Sequence, residues 1–464
     1  MLQAMYQVCE YGYLLRDGDP NPPPPANDNL LSCPLPAAFW DSLEKLVEEE
    51  DTDTRGVVYR AAPGPGRQPR LRVKNHIGVL ATAEGSLEIL PKLGRNGGTS
   101  LPRLRQVVGH MLDTVPDMPF RGIGEASQGV HNDTLFEWFL LRFLQRMSKL
   151  VARGLRSSYE TLEDNLPVLR GRLQLQQHLQ RNAANQAKLY VRFDEFTANR
   201  PENRLIHAAL DVAWRRSRNT DHKRRAGELM LSFSDIPKSS PGEQPSDFKA
   251  WRKERGASHY RDIESWCKAL LRPFSPVPAQ GAHRFDSFLF PAEKLFEAYV
   301  AERLRLAVQG TGITIQTQGR EKSLFTQQSG PFNSSYQMRP DIVIQQDDAI
   351  VICDTKWKLY EGDQAKISQA DLYQMFAYAN YWKGPNSTVQ LAIITPPSAG
   401  LVCASGPHIY EGGNQPFELW VLPYDLLLQN GIFLSSPTPV VLPPGLLGSV
   451  LRLHVKKHQK DSPA

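Results

Sequence analysis

Two short apolar runs separated by a polar turn constrain the fold of this chain more than any other feature. The runs at 342–344 and 349–353 are the lengths of buried strands, so the pattern predicts a β-hairpin. Asp341 stands at the start of the first run, and Asp354 and Lys356 follow the second. Because side chains alternate along a strand, Asp354 and Lys356 are expected on one face. The hairpin is expected to bring Asp341 back beside Asp354.

This hairpin would place two carboxylates and an ammonium group at adjoining strand ends. Such charges are costly inside an apolar sheet unless they are paired or bind a metal. A divalent cation relieves the repulsion between Asp341 and Asp354, and oxygen ligands favour Mg²⁺ or Mn²⁺ over zinc. The backbone carbonyl of Thr355 can add a ligand. Lys356 can orient a water and steady developing negative charge, so the set predicts metal-dependent phosphodiester hydrolysis.

The order Pro340-Asp341 followed by Asp354-Thr355-Lys356 resembles the motif of the PD-(D/E)XK nuclease superfamily. Short matches of this kind also arise by chance, and the alternative is a surface hairpin that carries a salt bridge. The apolar run directly before Asp354 favours a central strand over that alternative. The resemblance implies a restriction-endonuclease-like α/β domain with Asp341, Asp354 and Lys356 as catalytic residues.

Two flanking helices carry further candidate residues. Glu297 lies in the apolar pattern of a helix predicted over 291–308, and nucleases of this kind often supply an acidic residue from that helix. The alternative is an exposed helical glutamate. Gln374 and Tyr378 lie four apart on one face of a helix predicted over 368–382, which resembles the Q-x-x-x-Y helix of RecB-like nucleases. The alternative is an amphipathic packing helix.

Several stretches together make the resemblance specific to one family. The chain looks like the McrC family, the nuclease subunit of modification-dependent McrBC restriction systems, in KLFEAYV (294–300), RPDIVI (339–344), ICDTKWK (352–358), DLYQMFAYANYW (371–382), CEYGYL (9–14), HIGVLATAEGSLEILPKL (76–93) and LRGRL (169–173). The likeness spans nearly the whole chain and is strongest in the last third. The stretches at 17–29 and 218–260 match no pattern of the family.

The McrC resemblance implies a partner and a division of labour. McrC-like proteins pair with an AAA+ GTPase of the McrB type, a hexameric ring that moves DNA. Their N-terminal part contacts the ring and stimulates GTP hydrolysis, their C-terminal part cuts double-stranded DNA, and recognition of methylated cytosine belongs to the partner. One feature of the sequence agrees independently. The chain has no G-x-x-x-x-G-K-[ST] loop, since residues 94–100 lack the lysine, so another protein must hydrolyse the nucleotide.

The order of predicted elements indicates an α+β multidomain protein. Short strands in the first part predict a β-rich, partner-binding N-terminal domain over 1–125. Sustained helical periodicity predicts a helical middle domain over 126–280, in which the polar stretch 218–260 is expected to hold a loop or an insertion. The α/β nuclease domain is predicted over 281–455, with a flexible tail over 456–464.

A basic stripe is predicted in the middle domain. Its members are spaced three or four residues apart with no acidic residue between them, and they are Arg142, Arg146, Lys149, Arg153 and Arg156. Like charges at helical spacing disfavour the helix by about 0.2–0.5 kcal/mol per pair, so an unneutralised stripe indicates DNA or an acidic protein surface as partner. The alternative is a solvated helix face.

The composition excludes several classes of protein. The net charge of +5 permits a polyanionic partner without requiring one. Five scattered cysteines without a CxxC pair argue against a disulfide framework and against a zinc ribbon. No signal peptide and no apolar run long enough to cross a bilayer is found, which favours a cytoplasmic protein.

Three functions remain open on the sequence. The first is an endonuclease subunit that works with a GTPase. The second is a non-catalytic activator or scaffold of a partner NTPase, against which the complete Asp341, Asp354 and Lys356 set speaks. The third is a stand-alone PD-(D/E)XK nuclease, which the β-rich N-terminal part makes less attractive.

Overall fold

The computed structural model describes most of the chain, and all statements below concern those residues. They are 5–16, 30–48, 57–63, 69–82, 84–93, 99–115, 134–183, 187–251, 260, 263–271, 286–317, 322–323, 337–357, 367–382, 388–397, 401, 404–410, 417–426 and 445–452. The stretch at 17–29 and the predicted tail at 456–464 lie outside them. No described helix is long and apolar enough to span a membrane.

The protein is a mixed α+β structure, as the sequence predicted. Its strands are β1 (Met5–Cys9), β2 (Tyr13–Arg16), β3 (Ser32–Leu35), β4 (Val58–Ala61), β5 (Arg70–Val73), β6 (His76–Ala81), β7 (Ser86–Leu90), β8 (Ser158–Leu166), β9 (Arg172–Leu173), β10 (Leu189–Thr197), β11 (Asp286–Pro291), β12 (Thr314–Thr317), β13 (Lys322–Ser323), β14 (Gln337–Met338), β15 (Ile342–Gln346), β16 (Ala349–Thr355), β17 (Thr388–Thr395), β18 (Ser405–Tyr410) and β19 (Phe417–Pro423). Its helices include α1 (Ala37–Glu48), α2 (Leu101–Thr114), α3 (Leu135–Arg153), α4 (Leu175–Asn182), α5 (Pro201–Arg216), α6 (Thr220–Leu231), α7 (Gln244–Ala250), α8 (Ile263–Leu271), α9 (Ala292–Ala307) and α10 (Gln369–Trp382).

The chain folds into two compact units. The first contains Met1–Phe136 together with Phe274–Ala464, and the second contains Glu137–Pro273. The sequence predicted separate domains over 1–125 and 281–455, whereas both ranges belong to the first unit. The physical reason is strand pairing: β11, which precedes α9, adds to β6 in the antiparallel sense and completes the sheet β1-β7-β6-β11.

Two small sheets form the N-terminal part of the first unit. The sheet β3-β2-β5-β4 accompanies β1-β7-β6-β11, and the apolar side chains of both contribute to one core. Helix α1 covers this core because Phe39, Trp40 and Leu43 recur at helical spacing and are fully buried. The predicted β-rich character of this part is therefore observed.

The C-terminal part of the first unit is built on a six-stranded mixed sheet with the order β12-β15-β16-β17-β19-β18. The antiparallel hairpin of β15 and β16 is the predicted one, and β16 continues into a parallel pair with β17. Met375, Tyr378 and Ala379 of α10 pack on one face of this sheet, in a core shared with Ile352 and Leu391. The strand that carries Asp354 is thus an interior strand.

The second unit contains more than the predicted helices. Helix α5 contacts α6, α7 and α8, and the unit also contains the three-stranded antiparallel sheet β8-β10-β9, which α4 contacts. No side chain of β8 is buried, so this strand lacks the apolar alternation by which a strand is recognised, and β10 alternates between buried and exposed side chains only over Val191–Asp194.

The described residues of the polar stretch, 218–251 and 260, also contain helices, where the sequence predicted a loop or an insertion. Asn219 caps α6 by accepting hydrogen bonds from two backbone N–H groups, and an Arg204–Asp247 ion pair of 2.5 Å ties α7 to α5. Polar composition here reflects capping and ion pairing within helices, which periodicity alone does not reveal.

The described cysteines are free thiols, as expected. They are Cys9, Cys33, Cys267 and Cys353, and each is buried.

Candidate active site

The hairpin places the three central candidates at one end of the six-stranded sheet. Asp341 lies directly before β15, Asp354 is the next-to-last residue of β16, and Lys356 follows the strand. Ile342 pairs with Cys353, so Asp341 and Asp354 occupy the next positions of the same ladder. The predicted approach of Asp341 to Asp354 therefore follows from the register.

Lys356 is held by side chains of two different elements. Its Nζ atom lies 2.8 Å from Asp354 Oδ2 on the strand and donates a hydrogen bond of 3.0 Å to Gln374 Oε1 on α10. Asp371 Oδ1, one turn earlier on α10, is 3.4 Å away. The predicted same-face arrangement of Asp354 and Lys356 is observed, and the ammonium group is surrounded by acceptors.

The predicted pair on α10 forms a relay from the lysine to the hairpin. Gln374 Nε2 donates to Tyr378 Oη at 2.9 Å, and Tyr378 Oη donates to the backbone oxygen of Arg339 at 3.0 Å. Arg339 lies two residues before Asp341. Both predicted residues thus connect Lys356 to the segment that carries Asp341, which is more than packing of an amphipathic helix.

Asp371 is a part of the site that the sequence prediction missed. It is buried, and its carboxylate accepts a hydrogen bond of 2.6 Å from Ser368 Oγ while it faces Lys356. The signal was present: Asp371, Gln374 and Tyr378 stand at positions i, i+3 and i+7, one face of a helix. A polar triplet at that spacing beside a strand-borne lysine indicates a site.

The strand end also organises Asp341. Its Oδ2 atom accepts hydrogen bonds of 2.7 Å from both the backbone N–H and the hydroxyl of Thr355. Thr355 therefore orients the carboxylate through two donors. The predicted role of the Thr355 carbonyl as a ligand is a separate matter and stays a prediction.

The electrostatics of the site follow from burial of like charges. Burial, followed by the negative charge of Asp341, raises the pKa of Asp354 to about 6 against the opposing effect of Lys356. Burial alone would lower the pKa of Lys356, but Asp354 and Asp371 raise it above its ordinary value. Lys356 therefore stays positively charged, but its single charge does not fully neutralise the negative charges of Asp341 and Asp354.

The donor set fits a small divalent cation. Asp354 Oδ2 is buried and, among the described residues, receives no well-aligned hydrogen bond, although Lys356 lies within ion-pair distance. No group of three or more His, Cys, Asp or Glu side chains in the described part of the chain is arranged to hold a metal. Two carboxylates suffice for Mg²⁺, which usually keeps waters and shares substrate phosphates. Asp341 and Asp354 would hold it.

Glu297 lies on α9 and is 8% exposed, so it is not the exposed helical glutamate of the alternative. It forms an ion pair of 2.9 Å with Lys294, one turn earlier. The hydrogen bond with Glu297, together with the charges of Glu297, Asp341 and Glu293, raises the pKa of Lys294. Lys294 is therefore a second cation near the carboxylates, which the sequence prediction did not single out.

A family assignment follows from comparison with known proteins. The family described as McrBC 5-methylcytosine restriction system component matches residues 71–391. The chain belongs to the McrBC family. This membership confirms the McrC resemblance of the sequence motifs.

Relatives of this McrBC family member agree in sequence and in fold. The type IV methyl-directed restriction enzyme EcoKMcrBC of Escherichia coli (strain K12) is 22% identical over 238 residues, which are 50% of this chain and 67% of that protein. A chain of the refined half-complex from the tetradecameric assembly of Thermococcus gammatolerans McrB AAA+ hexamers with bound McrC superposes with a TM-score of 0.62 and 17% identity. The superposition covers 98% of this chain and 100% of that one, so the two share a fold.

The predicted basic stripe is not continuous in this McrBC family member. Helix α3 ends at Arg153 because Gly154 adopts a positive φ of 87°, a conformation that favours glycine. Arg156 therefore lies beyond the helix, 3.8 Å from Glu202 in an ion pair. The prediction of one helical stripe through Arg156 is wrong.

Arg142, at the other end of the predicted stripe, does not lie on the exposed face of α3 either. It is buried, its guanidinium carbon lies 5.5 Å from the centre of the Trp138 ring, and it donates a hydrogen bond to Gln145. Arg142 thus has a packing role within the second unit. Only Arg146, Lys149 and Arg153 retain the predicted position on the outer part of α3, and their proposed contact with DNA or a partner stays a prediction.

Proposed function

We propose that this McrBC family member is the metal-dependent DNA endonuclease subunit of a McrBC-like restriction complex. The observation that carries the proposal is the environment of Lys356. Its ammonium group lies between Asp354, Asp371 and Gln374 at the end of an interior strand, with Asp341 at the neighbouring position. An ammonium group beside two incompletely compensated carboxylates is the arrangement that phosphodiester hydrolysis of the PD-(D/E)XK type requires.

Each residue has a distinct task in the proposed reaction. Lys356 orients the attacking water and stabilises the negative charge that grows on the phosphate oxygens. Gln374 and Asp371 keep the lysine side chain at the strand end. Tyr378 fixes Gln374 and the backbone before Asp341, and Thr355 orients the Asp341 carboxylate. Asp341 and Asp354 are the proposed ligands for Mg²⁺ or Mn²⁺, with the Thr355 carbonyl as a further candidate.

A divalent cation held by these carboxylates would polarise the scissile phosphate and make water more acidic. Glu297 is proposed as an auxiliary acidic residue, since α9 keeps it buried within the same part of the first unit. Its ion pair with Lys294 would have to open before Glu297 could bind a cation.

The proposed partner is an AAA+ GTPase of the McrB type, and the proposed substrate is double-stranded, modified DNA in the cytoplasm. The similar solved chain comes from an assembly of McrB AAA+ hexamers with bound McrC, and the sequence contains no P-loop of its own. The energy for translocation and the stimulus for cutting would therefore come from GTP hydrolysis by the partner, which this chain is proposed to stimulate.

The test combines this chain with an AAA+ GTPase of the McrB type, methylated DNA, Mg²⁺ and GTP. We expect cleavage only when both proteins and GTP are present. Lys356→Ala should lower the cleavage rate by about 100- to 1000-fold, because it removes a charge that stabilises the transition state. The same variant should stimulate GTP hydrolysis as well as the wild type.

The exposed Lys249 of α7 provides a matched control, and Lys249→Ala should cut at the wild-type rate. Normal cleavage by Lys356→Ala would refute the site assignment. Cleavage by this chain alone would instead indicate a stand-alone nuclease, and GTPase stimulation without any cleavage would indicate a non-catalytic activator.

A further inference from the structure

Glu10, directly after β1, is an acidic residue that the proposed reaction does not use. It is 1% exposed, and both of its carboxylate oxygens accept the indole N–H of Trp357, at 2.7 and 2.8 Å. The backbone N–H of Lys92 donates a third hydrogen bond to it at 3.2 Å. A polar group withdrawn from water is costly unless it is hydrogen-bonded, so three contacts to one buried glutamate side chain indicate a specific role.

The partner of Glu10 stands next to the proposed catalytic lysine. Trp357 directly follows Lys356, is 8% exposed, and has its ring centre 5.2 Å from that of Phe296. Phe296 in turn directly precedes Glu297 on α9. Trp357 therefore lies between the end of β16 and the helix that carries the auxiliary glutamate, and Glu10 fixes its orientation.

The backbone around Glu10 is held firmly enough to serve as an anchor. The Glu10 N–H donates to Leu90 O at 2.9 Å, which extends the pairing of β1 with β7. Tyr11 adopts a positive φ of 60°, an uncommon conformation for a bulky residue. A Cβ atom at Gly12 would lie 2.6 Å from Val8 Cγ2, so the turn tolerates only glycine there. This strained and crowded turn leaves Glu10 little freedom.

We propose that Glu10 is a positioning residue for the nuclease site: through Trp357 it fixes the strand end that carries Asp354 and Lys356. The inference rests on the proposed function and deepens it. It assigns a part in the reaction to the N-terminal strand, 347 residues away from Trp357 in the chain. Loss of the contact would let the strand end shift, and displacements of about 1 Å at a reacting group lower rates by up to about 100-fold.

The contact is tested with variants of the full chain in complex with its GTPase. Glu10→Ala removes the acceptor, and Trp357→Phe removes the indole N–H while it keeps an aromatic ring against Phe296. Glu10→Gln retains one carbonyl acceptor and serves as the conservative variant. Trp40→Phe is the matched control, since Trp40 is a buried tryptophan of the same unit that packs in the N-terminal core.

We expect Glu10→Ala and Trp357→Phe to lower the single-turnover cleavage rate about tenfold or more at saturating DNA and Mg²⁺. The KM for DNA and the stimulation of GTP hydrolysis should stay within twofold of the wild type. The double variant should be no slower than the slower single variant, because both remove one contact. Glu10→Gln should recover most of the rate, and Trp40→Phe should leave it unchanged.

Mn²⁺ affinity, measured by electron paramagnetic resonance without DNA, tests the positioning independently of cleavage. It should weaken in Glu10→Ala and Trp357→Phe but not in Trp40→Phe. Folded variants with a wild-type cleavage rate would overturn the positioning role and leave the proposed nuclease intact. If the wild-type chain cuts no DNA, the proposed nuclease function is wrong. In that case the Mn²⁺ measurement still tests Glu10, and an unchanged Mn²⁺ affinity in both variants would overturn its positioning role. If Glu10→Ala does not fold, Trp357→Phe decides.

Discussion

At the scale of single residues, the proposed site combines one cation with several buried acids. Lys356 compensates Asp354 and approaches Asp371, yet burial and Asp341 still raise the pKa of Asp354. Removing a charge partner from such a group leaves an uncompensated buried charge, which is strongly destabilising. A residual negative charge is, however, what attracts a divalent cation. We therefore expect the proposed site to be less stable without a divalent cation than with one.

Glu10 predicts a dependence of stability on pH. Burial raises its pKa from 4.5 to about 8, against the hydrogen bonds from Trp357 and Lys92 and the charge of Lys92. The pKa of Glu10 is higher in the folded protein than in the unfolded one. The contribution of Glu10 to the free energy of unfolding is therefore complete below about pH 4.5. It is lost as the pH rises toward 8, by at most about 1.4 kcal/mol per pH unit.

The Glu10→Gln variant has no titrating side chain at position 10. Its stability relative to the wild type should therefore increase as the pH rises. The melting temperature of the variant minus that of the wild type should increase between pH 5 and pH 8.5. Cys9 and Tyr11 also neighbour Glu10, and their pKa values are raised above the ordinary range, so they stay neutral across this window. A difference that does not change with pH would contradict the prediction.

At the scale of elements, buried acids also join helices. Glu137, in the first turn of α3, is buried and accepts hydrogen bonds from Ser217 Oγ at 2.8 Å and from the backbone N–H of Arg218. His222 Nδ1, in the first turn of α6, lies 2.7 Å from the same carboxylate. The Glu137 carboxylate thus accepts hydrogen bonds from the segment that connects α5 to α6, where the ends of helices leave backbone groups without intrahelical partners.

Glu137→Ala should destabilise the second unit by about 3 kcal/mol, because it leaves buried donors without their acceptor. Urea unfolding followed by circular dichroism measures the change. Glu228→Ala is the control: Glu228 is 58% exposed and pairs with an exposed Arg224, so the loss should stay below about 1 kcal/mol. Equal effects of the two substitutions would show that Glu137 has no special part in joining the helices.

At the scale of the whole molecule, the N-terminal and C-terminal parts of the chain share one unit. The antiparallel pairing of β11 with β6 gives the strand before α9 its hydrogen-bond partners. Asn75 adds two contacts at the start of α9, through its carbonyl to the N–H of Ala292 and through its side chain to Glu293. The helix that carries Glu297 is therefore anchored to residues from the first hundred of the chain.

A fragment of residues 281–455 should consequently fail to fold cooperatively on its own. It contains β11 without β6 and Trp357 without Glu10, so unpaired backbone and an exposed indole replace native contacts. A fragment of residues 137–273, the second compact unit, is the control and should unfold in one sharp transition. Scanning calorimetry of both fragments makes the comparison. A sharp transition of the fragment 281–455 would show that the N-terminal strands are dispensable for its fold.

The sequence by itself determined the features that depend on local periodicity. The hairpin of β15 and β16, the shared face of Asp354 and Lys356, and the pairing of Gln374 with Tyr378 on α10 all follow from repeats of two or of three to four residues. Such repeats decide which side chains share a face before any tertiary contact exists. The resemblance to the McrC family was likewise visible in short stretches of sequence, and the family comparison then confirmed it.

Only the tertiary structure decided the contacts between distant parts of the chain. The Glu10–Trp357 hydrogen bonds and the β6–β11 pairing join residues that no local pattern relates. Asp371 became part of the site because α10 packs against β16. Arg156 lies outside the predicted stripe because the chain leaves the helix at Gly154, and Arg142 lies outside it because it packs against Trp138. The free energies of strand pairing and of side-chain burial depend on which surfaces contact each other in the folded protein. The spacing of residues along the sequence does not reveal those contacts.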